Sequence, residues 1–204
     1  MNEKLLKTAK SLEKRGFTAI TCENARDAIF AADSLLKEGE SITWGGSMTI
    51  RDMGLTRFVK EKGIYHVFDR DEIPHEQRDA FAREHFFSDW LFMSTNAITE
   101  DGELLNLDGI GNRVSAMIYG PKNVLVVAGR NKIVPTLADA YQRVREVASP
   151  KNAQRFPINT PCKKTGKCAD CLSPDTICAQ MVYTRASKPR GRIHVILVDE
   201  DLGY

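Results

Sequence analysis

The run Val124-Leu125-Val126-Val127-Ala128, closed by Gly129, decides the fold. Its residues are apolar in unbroken succession, with no polar alternation, so the strand reads as buried on both faces. Trp90 to Met93 is a second apolar strand, and Ser41 to Trp44 a third that runs into Gly45-Gly46-Ser47. Helical spacing separates these runs. Residues 2–15 carry Leu5, Leu6, Ala9 and Leu12 on one face and end at Gly16. Asn24 to Lys37 carries Ala28, Ile29, Ala32, Leu35 and Leu36. Thr136 to Val147 carries Leu137, Ala140, Tyr141 and Val144. Phe17 to Thr21 and Ile64 to Phe68 read as further strands, with an irregular helix to about Lys62 and another helix after Pro74. Strands alternating with helices across tight glycine turns predict an α/β fold, an open, mostly parallel sheet with helices on both faces.

The chain has 204 residues, which suits one domain over 1–204. After Ser149-Pro150 the character changes. Residues 150–178 are rich in Pro, Lys, Thr and Cys and carry little periodicity, so they read as a Cys-rich insertion within the domain. Two late strands, Met181 to Arg185 and Ile193 to Asp199, suggest that the chain then re-enters the main sheet. The net charge of +2 does not point to nucleic acid, but Lys151 to Arg192 holds nine basic residues against Asp170 and Asp175. The N-terminal residues lack an apolar signal core, and no stretch approaches the roughly 20 apolar residues of a membrane helix. The expected location is the cytoplasm.

Three segments carry the chemistry. Gly45-Gly46-Ser47 lies between a strand and a helix, where open α/β sheets bind ligands; a plain strand-to-helix turn is the competing reading. Ser94 to Arg113 follows an apolar strand and holds a hairpin signal, Asp101-Gly102, and then Asp108-Gly109-Ile110-Gly111-Asn112 ahead of the helix Val114 to Tyr119. This order predicts a binding loop, with Gly111 and Asn112 at a helix N-terminus where donors meet an anion, rather than only a hairpin with a glycine-rich return. Arg113 would contact that anion or pair with Asp108 or Glu103. Lys132 would reach it from the end of the 124–128 strand. The third segment spaces Cys162, Cys168, Cys171 and Cys178 so that four thiolates can hold zinc or an iron–sulfur cluster. Disulfides fit a reducing compartment poorly, and Lys163, Lys164, Lys167 and Asp170 argue against buried free thiols. The spacing does not choose between the metals.

Other residues read blandly. His66, His75, His85 and His194 form no ligand motif, His85 sits at a core edge beside Phe86 and Phe87, Trp44 and Trp90 belong to the core, and Cys22 is a small buried hydrophobe.

Several of these stretches resemble the LUD-domain (lactate utilisation) family: Gly45-Gly46-Ser47, Asn96 to Gly102, Asn106 to Arg113 and Gly129 to Val134. Thr160-Pro161-Cys162, Cys168, Asp170-Cys171, Ser173-Pro174-Asp175 and Leu202-Gly203-Tyr204 resemble a cysteine-bearing branch of it. The resemblance implies the fold shared by sugar-phosphate isomerases and acyl-CoA transferases, with Gly45, Gly46, Ser47, Asn96, Asp108, Gly111 and Asn112 lining one cleft. It also implies a role beside the iron–sulfur proteins of bacterial lactate oxidation. The transferases' glutamate nucleophile has no match; Glu100 is nearby but sits at a turn. The leading expectation is a redox-associated protein of organic-acid oxidation that binds a small anion. One alternative is an enzyme on a phosphorylated or CoA-linked small molecule. Another is a non-catalytic module for an iron–sulfur redox partner. Neither nucleic acid nor membrane is expected as a partner.

Overall fold

The computed structural model describes residues 2–204; Met1 and the side chain of His75 lie outside it. The elements in chain order are α1 (Glu3–Lys14), β1 (Thr18–Cys22), α2 (Ala25–Ser34), β2 (Ser41–Trp44), α3 (Met48–Asp52), α4 (Leu55–Lys62), β3 (His66–Phe68), α5 (Arg78–Glu84), β4 (Trp90–Met93), β5 (Ala97–Thr99) and β6 (Leu104–Asp108). They continue with α6 (Asn112–Tyr119), β7 (Asn123–Gly129), β8 (Ile133–Val134), α7 (Leu137–Arg143), α8 (Ser149–Ala153), α9 (Pro161–Thr165), β9 (Gln180–Thr184) and β10 (Ile193–Val198).

Six strands form the main sheet in the order β1-β10-β7-β4-β2-β3, and every neighbouring pair is parallel. The expected mostly parallel sheet is therefore present. Its central strands β4 and β7 are apolar almost throughout because both faces are covered, whereas β1, β2 and β3 mix in polar residues. Leu91, Met93, Val124, Val126, Val195 and Leu197 pack with Leu5 and Leu12 of α1 and Met117 of α6. The alternate residues Trp90, Phe92, Leu125, Val127 and Ile196 pack on the other side with Ala28 and Ala32 of α2, Ile50 of α3 and Val59 of α4. Phe92 is fully buried, and truncating such a side chain to alanine costs about 3–5 kcal/mol.

Some expected faces shift. In α1 the buried stripe is Leu5, Thr8, Ala9 and Leu12, while Leu6 is exposed. In the helix after Thr136, Ala140 and Val144 are buried, and Leu137 and Tyr141 face outward. That helix runs through a π-type turn, Val144–Ala148, directly into α8.

A second sheet of four strands, ordered β8-β5-β6-β9, is the main departure from expectation. The hairpin β5–β6 forms its centre, and β8 adds two residues too short to register as a pattern. Of the two late strands, β10 enters the main sheet between β1 and β7, but β9 pairs antiparallel with β6 in the small sheet. The Cys-rich stretch thus links α8 to the small sheet, with α9 as its one regular element. Asp108 consequently ends an antiparallel strand of the small sheet, whereas Gly45, Ser94 and Lys132 follow parallel strands of the main one. The small sheet packs Ala97 and Leu105 onto Ala140 and Val144, and so swings its loops over the carboxyl ends of β2, β4 and β7.

Candidate functional site

A cleft of about 370 Å³ opens at those strand ends. Gly46 and Ser47 line one wall; Asp108, Gly109, Ile110 and Asn112 line the facing one; Ser94, Thr95, Asn96 and Lys132 lie along it. Residues of both loops therefore line one cleft. Gly45 and Gly111 are not part of its lining. Gly45 instead backs onto Arg113: a Cβ there would stand 2.9 Å from Arg113 Cγ and Cδ. Gly111 takes φ +85°, a conformation that favours glycine, and starts α6.

The N-terminus of α6 does not await an anion. Asp108 already fills it, its Oδ2 accepting from the backbone N–H groups of Arg113 and Val114, both at 3.1 Å. A carboxylate at that end satisfies both the free amides and the helix dipole. Arg113 is likewise occupied. Its guanidinium donates to the Ser94 carbonyl at 3.1 Å, Asn106 Oδ1 at 2.8 Å, Asn96 Oδ1 at 3.2 Å and the Leu107 carbonyl at 2.9 Å. Asp108 Oδ2 lies 3.9 Å from its Nε, so the expected pairing with Asp108 is present. Asn96 adds the Leu107 N–H to its acceptances at 2.9 Å. Arg113 thus ties the loop after β4 to the end of β6, and only part of it borders the cleft.

The cations with capacity for a ligand come from elsewhere. Arg70, Arg78 and Arg155 line the cleft with Lys132, against the carboxylates of Asp71 and Asp108. Arg70 Nε is buried and has no hydrogen-bond partner. Burial lowers the Arg70 pKa, and the charges of Asp71 and Asp108 act against that loss. The short helical turn Arg70–Glu72 is held by Asp69, which accepts from the Asp71 N–H at 2.9 Å and from Trp44 Nε1 at 3.1 Å. Sequence alone hides this arginine, because Asp69-Arg70-Asp71-Glu72 reads as a solvated charge run.

Lys132 is 3% exposed. Its Nζ lies 2.8 Å from Thr49 Oγ1 and 2.9 Å from Ser94 Oγ. Burial, with Arg143 and Arg113 close by, pulls its pKa down to about 7. Tyr204 also lines the cleft. The segment bearing it is held by Asn131, whose side chain accepts from the Leu202 N–H at 3.1 Å and donates to the Gly203 carbonyl at 3.3 Å.

Cys162, Cys168, Cys171 and Cys178 line one further cavity, of about 200 Å³. Its other walls include Leu107, Tyr141, Thr176, Ile177 and Met181. Among the described residues, no three His, Cys, Asp or Glu side chains are arranged to hold a metal ion, so the sulfurs share a cavity without converging on a point. Three of the sulfurs have local partners: Thr160 Oγ1 lies 3.3 Å from Cys162 Sγ, Thr176 Oγ1 lies 3.0 Å from Cys178 Sγ, and Arg145 Nη2 donates to Cys168 Sγ at 3.3 Å.

The bland readings mostly hold. Trp44, Trp90 and Cys22 are buried, and burial pushes the Cys22 thiol up to about 11. His85 stacks on Phe68 with ring centroids 3.8 Å apart. Among the described residues no helix is long and apolar enough to cross a membrane.

A parallel α/β sheet with a polar cleft at its strand ends defines a class of ligand-binding architecture. Within it, the chain belongs to the LUD-domain family, whose model matches residues 5–198. Among solved structures it is similar to a DUF162 family protein from Deinococcus radiodurans, at 16% identity over 96% of each chain with a TM-score of 0.57. It is also similar to 5-methylthioribose 1-phosphate isomerase from Pyrococcus horikoshii, at 14% identity over 81% of this chain and 52% of that one, with a TM-score of 0.36. The first of these likenesses shows the fold; the second carries no argument. No curated protein matches the chain.

Proposed function

We propose that this LUD-domain protein is a redox-linked accessory of lactate or related organic-acid oxidation in the cytoplasm. In this reading it binds a small anion in the strand-end cleft and holds a metal centre at Cys162, Cys168, Cys171 and Cys178. One observation carries the reading: the two cavities share a wall. Leu107, Thr176 and Ile177 border both the cleft and the cysteine cavity.

By residue type, four cysteines suit a metal centre. Four thiolates serve either zinc or an iron–sulfur cluster. A zinc ion needs its sulfurs about 2.3 Å from a single point. Sulfurs spread around a cavity of about 200 Å³ suit a polynuclear iron–sulfur cluster better. Such a cluster supplies one-electron transfer when bound. The chain's own contribution is to line the cavity with the apolar side chains of Leu107 and Ile177 and to direct Arg145 at the Cys168 sulfur.

In the cleft, the Arg70 guanidinium, with Arg78 and Arg155 beside it, favours a carboxylate or phosphate. An enzyme on a phosphorylated or CoA-linked small molecule is the second reading, favoured by the buried amine of Lys132. The basic stretch around the cysteines also suits docking to an acidic iron–sulfur partner. Calorimetric titration of the full chain with phosphate, L-lactate and pyruvate tests the anion site. One anion per chain is expected, bound about tenfold more weakly by Arg70→Met. Absence of binding for all three anions would contradict the reading.

A further inference from the structure

We infer that Lys132 is a nucleophilic amine that forms an imine with the carbonyl carbon of a small 2-oxo acid bound in the cleft. The inference rests on the anion-cleft reading and goes beyond it by naming a covalent step and a substrate class.

Hydrogen-bond accounting around the amine leads there. Ser94 Oγ donates its one proton to the Val127 carbonyl at 2.6 Å, so toward Lys132 Nζ it accepts. Thr49 Oγ1 donates to the Leu202 carbonyl at 3.4 Å, so it also accepts from Lys132. Two of the amine's hydrogens are therefore assigned, and one tetrahedral position is left. A third proton there would add charge in a place that discourages it. Lys132 is buried, makes no ion pair among the described residues, and has the guanidinium groups of Arg113 and Arg143 as its charged neighbours. A surface lysine would have water or a carboxylate at that position. Here desolvation beside other cations leaves a lone pair, the arrangement that activates lysine amines toward carbonyl carbons.

The cleft supplies the rest of the recognition. A carbonyl compound needs only the amine, but Arg70 lines the same cleft, and its guanidinium favours an anionic group on the same molecule. A 2-oxo acid is the smallest molecule that carries both a carbonyl and an anionic group. The step balances without oxidant or reductant. The nitrogen lone pair bonds to the carbonyl carbon while one N–H proton passes to the carbonyl oxygen, giving a carbinolamine. That hydroxyl then leaves as water with the second N–H proton, and a C=N bond remains. Ser94 and Thr49, which accept the two N–H protons of the free amine, fix the direction of its lone pair before attack, and both bonds are given up as those protons leave.

The test is reductive trapping. The full chain is incubated with pyruvate and sodium cyanoborohydride, and the product is read by intact mass and peptide mapping. One reduced adduct per chain is expected, on Lys132. L-Lactate, which has no carbonyl, should give none, and Arg70→Met should slow trapping about tenfold. Mapping on the unaltered chain avoids reliance on any variant that fails to fold; Lys132→Met, which keeps the side chain's length without an amine or a charge, should lose the adduct while its circular dichroism is retained. Adducts spread over exposed lysines would overturn the inference. So would the absence of an adduct from a protein that still binds phosphate, and in that case the anion-cleft reading would stand. A protein that neither binds phosphate nor traps pyruvate would sink both.

Discussion

Asp108 caps, with its side-chain carboxylate, the helix whose first turn holds Arg113, and it lies 3.9 Å from the Nε of that same arginine. The pair closes the junction between the two sheets: one residue ends β6, the other opens α6, and the guanidinium reaches back to the loop after β4. This makes Arg113 a structural residue first. Arg113→Met should strip a donor from four acceptors, of which Asn106 is fully buried. Buried polar groups left unpaired cost about 1–3 kcal/mol each, so denaturant unfolding should show a loss of several kcal/mol. An unchanged midpoint, with weakened anion binding, would return Arg113 to the role of a ligand contact.

The amine of Lys132 makes a pH-dependent contribution of known sign. Its folded pKa, about 7, lies below the ordinary value of 10.5. The unfolded chain therefore binds the proton more readily, and the penalty is fully present below about pH 7. It is relieved as pH rises from there toward 10.5, so stability gains from this residue over that window. Lys132→Met should flatten the stability profile between those limits. Urea midpoints measured across the range check this, and identical slopes for the two proteins would mean that Lys132 is an ordinary, solvated lysine.

Thiol chemistry should divide the five cysteines. Cys22 is buried in the sheet and its thiol is pushed up to about 11, so iodoacetamide should leave it unmodified in the native protein near neutral pH. Cys162, Cys168, Cys171 and Cys178 are partly exposed. They should alkylate in metal-free protein and, if they hold the proposed centre, be protected as a set in metal-loaded protein. Protection of some but not others would break the single-centre account.

Much of this was legible in the residues. The apolar runs Trp90–Met93 and Val124–Ala128 marked the sheet because burial on both faces leaves no polar alternation. Gly46, Ser47, Asn96, Asp108, Asn112 and Lys132 were found as one lining because ligand loops cluster at strand ends. The small sheet was not legible: β8 is two residues long, and β9 has the exposure of an edge strand. Arg70, Arg78 and Arg155 were missed because nothing in their neighbours separates an arginine aimed into a cleft from one in solvent. The anion was expected at Gly111-Asn112, but a carboxylate three residues upstream of Gly111, Asp108, takes the amides of the next two residues, Arg113 and Val114.

The central claim is that the cysteine cavity holds a redox centre beside the cleft. Anaerobic purification, with iron and sulfide analysis and an optical spectrum, tests it most directly. The account predicts iron and acid-labile sulfide in equal amounts and a broad visible absorbance that bleaches on reduction, both lost in Cys171→Ser with the main sheet retained. A colourless protein with stoichiometric zinc, or one carrying no metal and free thiols under the same conditions, would contradict it.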